Sequence, residues 1–269
     1  MRKYRFLWRK RMIKDLFDLK YPIIQGAMAQ VSYSSLVAAV SNQGALGTLS
    51  SYGLTGEQLK KEIQQVREKT TRPFSCNVML QQVNSDELIE VILSENIPIV
   101  SLSAGFKPGL IQKLQENNRK VISVVGSKRQ ATKVIDSGTD CIVVEGNEAG
   151  GHIGNTKLET LLLDTLAMTK IPVVAAGGIM TNKDIQQKLQ VGAAGVQLGT
   201  VFLLSQESSL LENSKKLLLS KKIKSEIFTK SSGKKFRAVR VKENYLPCGI
   251  GIDRMNQILT VSEIIKKLK

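Results

Sequence analysis

Histidine is all but missing from this 269-residue chain: it occurs once, at His152. Tryptophan also occurs once, and aromatic side chains make up 5% of the residues. Cysteine is scarce, with only Cys76, Cys141 and Cys248. An odd count without metal-ligand spacing speaks against both a disulfide framework and a metal site. Cys76 and Cys141 fall in apolar stretches and read as reduced core residues, which suits a cytoplasmic protein. No apolar run approaches the roughly 18 residues of a membrane span, so no membrane partner is expected. Residues 1–18 read as a ragged basic extension with a weak surface helix. They include Arg2, Lys3, Arg5, Arg9, Lys10, Arg11 and Lys14, and they lack the apolar stretch of a secretory signal. Met12 is an alternative start to Met1.

Acidic side chains are also in short supply, 23 against 39 basic ones, for a formal net charge of +16. Such a surface favours anionic partners: nucleic acid, acidic carrier proteins or phosphorylated ligands. The excess is concentrated between Lys215 and Lys242, where Glu226 is the lone acid. This segment reads as a solvated basic face. Few aromatics interleave with its lysines, so a base-stacking platform for nucleic acid is not expected.

What the chain does have is 42% hydrophobic residues in short, regularly spaced runs. Tyr21–Gly26, Ala45–Leu49, Phe74–Met79, Ile99–Leu102, Lys120–Val125, Cys141–Val144, Val173–Ala176 and Gly195–Leu198 read as strands. They lack apolar–polar alternation, as expected of a parallel sheet covered on both faces. A helical segment follows each, among them Ser34–Asn42 with Ser32 or Ser34 as cap, a helix capped by Thr55, and one capped by Asn182. Eight such units predict an α/β fold, a closed TIM (β/α)8 barrel rather than an open sheet. Thr260–Leu268 reads as a closing helix.

In such a barrel the site lies at the strand C-terminal ends. There the chain places Gly26-Ala27-Met28, Asn77, Ser103-Ala104-Gly105, the loop Glu145–Gly154, Gly177-Gly178 and Gly199-Thr200. His152 sits in the glycine-rich loop after the sixth strand, where an imidazole can exchange a proton near neutral pH. The bland alternative is a loop histidine without chemistry. Small residues at the strand ends leave room for a flat ligand across the barrel mouth. A single glycine pair reads equally well as a tight turn. Gly-Gly and Gly-Thr together, after the last two strands, point to phosphate held on backbone N–H groups.

These segments are similar to one family. Tyr-Pro-Ile-Ile-Gln-Gly-Ala-Met (21–28), Gly-Ala-Leu-Gly (44–47), Asn77 in Cys-Asn-Val-Met, Glu-Ala-Gly-Gly-His (148–152), Ala-Ala-Gly-Gly-Ile (175–179) and Gln-Leu-Gly-Thr (197–200) resemble, in order, the nitronate monooxygenase (2-nitropropane dioxygenase) family. That family also contains the flavin-dependent enoyl-acyl-carrier-protein reductase. The resemblance implies FMN at the mouth of a TIM barrel spanning 19–269. It carries FMN contacts over to Gly26, Ala27, Met28, Asn77, Gly150, Gly151, Gly177, Gly178, Gln197, Gly199 and Thr200, with His152 as the catalytic residue. Ala27 stands where many members have glycine, so the first loop is expected to sit differently.

The family's second small domain is replaced here by Leu203–Pro247, lysine-rich and too short for that domain. Phe236–Arg240, Cys248-Gly249 and the helix 260–268 resemble the family's return to the barrel. The site is then open, or completed by the second subunit of a homodimer. Three functions follow as expectations. The first is oxidation of nitronates or nitroalkanes with O2. The second is reduction of an enoyl thioester with NADH or NADPH, the basic segment meeting an acyl carrier protein. The third is a flavin-free anion- or nucleic-acid-binding barrel.

Overall fold

A computed structural model describes residues 12–220, 223–241 and 244–269. Most of the basic extension (Met1–Arg11), and Lys221, Lys222 and Lys242 of the basic segment, lie outside the described residues.

The apolar runs become strands because both of their faces are covered. In order they are β1 (Ile23–Gln25), β2 (Gly47–Ser50), β3 (Phe74–Met79), β4 (Ile99–Ser103), β5 (Lys120–Val125) and β6 (Cys141–Glu145). A two-residue strand outside the barrel, β7 (Gly151–His152), comes next, then β8 (Val173–Ala176) and β9 (Gly195–Leu198). Helix α1 (Ile13–Phe17) precedes them. After the barrel strands come, in turn, α2 (Ser34–Asn42), α3 (Gly56–Lys69), α4 (Ser85–Ser94), α5 (Leu110–Glu116), α6 (Lys128–Asp136), α7 (Leu158–Met168), α8 (Asn182–Val191) and α9 (Thr200–Leu203).

The barrel strands form one parallel sheet in the order β1-β9-β8-β6-β5-β4-β3-β2. A parallel bridge between Ile24 and Leu46 joins its two ends. There the Gln25 N–H donates to Leu46 O at 2.8 Å and the Leu46 N–H to Ile23 O at 2.9 Å. The fold is therefore the expected closed TIM barrel. Alternate residues of each strand serve two cores. Ile24, Leu46, Ile99, Ile122, Val143 and Val174 fill the barrel interior. Ile23, Val100, Val121, Ile142, Val144 and Val196 pack outward against the helices.

Several caps follow the side-chain logic of helix starts. Thr55 and Thr260 each close a capping box, with Gln58 and Glu263. For α8 the cap is Thr181, not Asn182. The Thr181 hydroxyl accepts the Asp184 N–H, and the Asp184 carboxylate accepts the Thr181 N–H. For α2 the cap position is Tyr33. Ser32 is used elsewhere: its hydroxyl accepts the Met28 N–H and the Gln25 amide.

Two expectations about the termini need correction. The described end of the segment expected as a surface helix has a buried face: Ile13, Leu16 and Phe17 of α1 join the barrel interior cluster, while Lys14 and Asp15 are exposed. The Ile13 N–H donates to Ala194 O at 3.1 Å, and the Lys120 ammonium donates to the Leu16 carbonyl. Helix α1 thus plugs the barrel at the end opposite the strand C-termini. The second correction concerns the basic segment. It is not wholly a solvated face, because Lys215 of α10 (Glu212–Ser220) is 1% exposed. Its ammonium donates to the carbonyls of Gln206 and Ser208 and pairs with Glu212.

After α10 come β10 (Glu226–Thr229), β11 (Lys235–Val241) and β12 (Asn244–Pro247), then a 3-10 turn (Ile250–Arg254) and α11 (Val261–Leu268). The three strands form a small antiparallel sheet with β11 in the middle. Phe236–Arg240, expected as part of the return to the barrel, is the centre of that sheet. Strand β7 pairs with β11 as well, Phe236 opposite His152 and Arg237 opposite Gly151.

Ile13→Ala tests the plug. Ile13 has no exposed surface, so deleting its outer carbons should cost about 2–5 kcal/mol, the range for buried large-to-small changes. Urea unfolding of the two proteins measures the difference. A loss near zero would return the segment to the surface.

Candidate functional site

The strand C-terminal ends open into a cavity of about 910 Å³. Every residue of the expected site lines it. Gly26, Ala27 and Met28 form the wall after β1, and Asn77 points in from β3. Gly150, Gly151 and His152 come from the loop after β6. Gly177 and Gly178 follow β8; Gln197, Gly199 and Thr200 end β9.

Each wall has a local cause. Gln25 is fully buried; its amide donates to Gly26 O at 2.6 Å and to the Ser32 hydroxyl at 2.8 Å, and its carbonyl accepts the Thr48 N–H. That network sets the Gly26–Met28 turn. Two strands along, the Asn77 amide donates to the Ser101 hydroxyl at 3.1 Å and its carbonyl accepts from Ser103 at 3.2 Å. Gly178 has φ +69°, the left-handed region that favours glycine.

The histidine loop is pinned from several directions. The Gly146 N–H donates to Ala176 O, and the Glu148 carboxylate accepts the Leu158 N–H. Gly150 lies directly on the Cys248 backbone; a Cβ there would sit 2.6 Å from it. The Arg237 Nε–H donates to Asn147 O at 2.9 Å, and the Ile153 N–H donates to Lys235 O at 3.2 Å. With the β7–β11 pairs, these contacts fix the main chain of His152 relative to the cavity.

The electrostatics divide the site. Glu145, the last residue of β6, lines the cavity with no hydrogen-bond partner among the described residues. Desolvation pushes its carboxyl up to about 8, so it holds a proton at neutral pH. His152 is shifted the other way. Partial desolvation, then the positive charges of Lys230 and Lys234, lower its pKa from the ordinary value. The imidazole is therefore neutral near pH 7. Burial drives the Cys248 thiol up to about 12, so it is no thiolate.

One wall has the donors an anion needs. The N–H groups of Gly177, Gly178 and Gly199 donate to no described protein atom. A Cβ added at Gly199 would meet only Met28, at 3.8 Å or more. Free backbone donors fit a phosphate, and the space beside Gly199 is open, whereas Gly177 and Gly178 lie against Ala149 and Ile250. The Thr200 hydroxyl accepts the Gly249 N–H at 2.8 Å and keeps its own proton to donate. These residues fit the phosphate end of FMN, with Asn77, Gln197 and Met28 on the walls that would flank its rings.

Ser103 and Glu145, expected at the strand ends though without an assigned cofactor contact, line the cavity too. Several lining residues were not among those expected: Ser101 and Gln81 stand with Lys230, Lys234, Lys235, Phe236 and Tyr245 along the cavity. The lysines and aromatics had no signal, because they reach the mouth only through the β7–β11 pairing. The described residues hold no cluster of His, Cys, Asp or Glu that could bind a metal, and no helix long and apolar enough to cross a membrane.

Comparison with known proteins agrees with this architecture. The sequence model of the nitronate monooxygenase family matches residues 10–88 and 83–243. A probable nitronate monooxygenase of Staphylococcus aureus (strain JH9) is 30% identical over 280 residues, spanning 87% of this chain and 79% of that protein. A Mycobacterium tuberculosis protein, (3aS,4S,5R,7aS)-5-hydroxy-7a-methyl-1-oxo-octahydro-1H-indene-4-carboxyl-CoA dehydrogenase, is 35% identical over 201 residues. That match spans 74% of this chain but only 57% of the relative's length. Among solved structures, FabK from Thermotoga maritima superposes with a TM-score of 0.91 at 29% identity, covering 96% of this chain and 94% of that one. The nitroalkane oxidase from Streptomyces ansochromogenes gives 0.87 at 25% identity, covering 95% and 96%. With a family match across most of its length and a histidine-bearing cavity at the barrel mouth, the chain belongs to the nitronate monooxygenase family, a family of oxidoreductases.

Proposed function

We propose that this chain is an FMN-dependent oxidoreductase that oxidises alkyl nitronates and nitroalkanes with O2. The observation that carries the reading is His152, an imidazole kept neutral by desolvation and two lysines in the cavity whose far wall offers unbonded glycine N–H groups. A neutral imidazole can take the acidic α-proton of a nitroalkane. It is a poor proton reservoir for the reverse need, protonating a carbon. The loop contacts fix its main chain at the cavity, and Gly177, Gly178, Gly199 and Thr200 would hold the phosphate of FMN. When bound, FMN supplies the electron acceptor for the substrate carbon and hands the electrons on to O2.

A second reading is reduction of an enoyl thioester with NADH or NADPH. It is favoured by Lys234 and Lys235 on the cavity rim, which suit an acidic acyl carrier protein, and by the likeness to FabK. Anaerobic mixing of the purified flavoprotein with a nitronate, NADH or NADPH separates the two readings. Bleaching of the flavin by the nitronate alone supports the first, and bleaching by a nicotinamide supports the second.

His152→Asn should lower turnover of a neutral nitroalkane by about 10²–10⁴-fold, the usual scale for general acid–base catalysis. A pre-formed nitronate has already lost its α-proton and should suffer less. Equal losses on both substrates would remove the base role. The pH profile carries a sign. The active form is the neutral imidazole, so kcat/KM for a nitroalkane should rise with pH through a midpoint below histidine's ordinary value of about 6.5. A midpoint at or above that value would contradict the environment described.

Gly199→Leu tests the cofactor wall. The backbone there, at φ −113°, accepts any residue, and the added side chain would project into open cavity. The variant should fold and lose flavin, read as absorbance per protein. Full flavin content would place the phosphate elsewhere.

A further inference from the structure

We propose that Lys230 is a specificity-determining residue: together with His152 it forms a two-point site for an oxyanion carried at the reacting end of the substrate. The inference rests on the proposed function only in taking His152 as the reacting centre. The Lys230 Nζ lies 3.4 Å from His152 Nε2, although the two residues are 78 positions apart. Both line the cavity. The Lys230 ammonium also sits over the Phe236 ring, 5.7 Å from its centroid, which steadies a long and otherwise free side chain.

The surrounding charges leave this ammonium unneutralised. Among the described residues no carboxylate pairs with Lys230, Lys234 or Lys235. The acid lining the cavity, Glu145, keeps its proton up to about pH 8. The other charged or titratable groups on the elements around the imidazole are Glu148 in its own loop, Glu226 of β10, Lys235, Arg237 and Arg240 of β11, and Tyr245 of β12. Glu148 is occupied by the Leu158 N–H, and Arg237 by the carbonyls of Asn147 and Ser225. Lys234 is turned to the opposite rim, where it donates to Gln81 Oε1 at 2.8 Å. Lys234 still acts on the imidazole by its charge, but Lys230 makes the direct contact.

An uncompensated ammonium beside a neutral imidazole favours an anion. The expected flavin phosphate belongs to the wall after β8 and β9, so this is a separate anion position. A planar group with two oxygens, a carboxylate or a nitronate, could accept from Nζ with one oxygen and from an imidazole N–H with the other. A neutral substrate would leave Lys230 without such a partner.

The lone histidine makes the test direct. Its imidazole gives the chain's one histidine ring signal in NMR, so His152 can be titrated in the purified protein with propionate as the probe. Saturating propionate should raise the midpoint of His152, because a nearby anion favours the imidazolium. Lys230→Met should raise the midpoint of the propionate-free protein by removing a like charge, and should weaken propionate about tenfold. Lys230→Arg should keep both properties near those of the parent.

A His152 signal that ignores propionate would overturn the proposal. So would a Lys230→Met variant with unchanged midpoint and affinity. Adenosine 3′,5′-bisphosphate serves as the competing source of anion. If it binds while propionate leaves His152 unmoved, the lysines serve a phosphorylated tail and the proposal fails. The readout needs no turnover. Protein that carries no flavin, or is not bleached by a nitronate, would sink the proposed function while leaving this oxyanion site to stand or fall on the histidine signal.

Discussion

Two backbone pairs, Phe236 with His152 and Arg237 with Gly151, connect the barrel's histidine loop to the small sheet. Much of the site depends on them. A glycine-rich loop has little intrinsic preference for one conformation, and ordering it carries an entropy cost. Here that cost is met by external partners: strand β11 on one side, the Cys248 backbone packed under Gly150, and the Arg237 side chain on Asn147 O. The small sheet is short, but it is not a passive strap. It sets where the imidazole sits.

The barrel was legible because its strands have apolar residues on both faces. Val143 and Val144 illustrate the reason: one joins the interior cluster and its neighbour the outer one. A run buried on both sides needs no alternation and stands out in any composition. The position of the cavity followed from the same logic, since barrel strands deliver their C-terminal residues to one mouth. The small sheet was not legible. Its alternation in Lys235–Val241 is masked by lysines and arginines, and β7 is two residues long, too short for any pattern. Lys230 reaches His152 only through that long-range pairing. The plug α1 was hidden for a related reason: the apolar Ile13, Leu16 and Phe17 sit in a strongly basic context that suggested solvent.

The composition gave the sign of the charge but not its arrangement. Excess lysine could have been spread over a solvated face, and much of it is exposed. The same lysines also do two different things. Lys215 is withdrawn from water and satisfied by two carbonyls and Glu212, which makes it part of the packing around α10. Lys230, Lys234 and Lys235 are exposed at the cavity rim and have no acidic partner among the described residues. Lys230 and Lys234 add to partial desolvation in lowering the pKa of His152, while Glu145 is shifted up by desolvation alone.

The cavity therefore has a division of labour that follows chain order. Residues delivered by the barrel, the glycines after β8 and β9 with Asn77 and Gln197, form a rigid wall with free backbone donors. Residues delivered by the small sheet, Lys230, Phe236 and Tyr245, form the opposite side with cationic and aromatic character. Phe228, Phe236 and Tyr245 pack on one another with ring centroids 4.7 to 5.5 Å apart, so this side is a connected unit. His152 belongs to both: it is carried by the barrel loop and paired in register with Phe236. Any shift of β11 would move the imidazole through the backbone pair and Lys230 through its contact with the Phe236 ring. On the roles proposed above, proton exchange and anion recognition would be coupled by geometry, and a change in the small sheet should alter both together rather than either one alone.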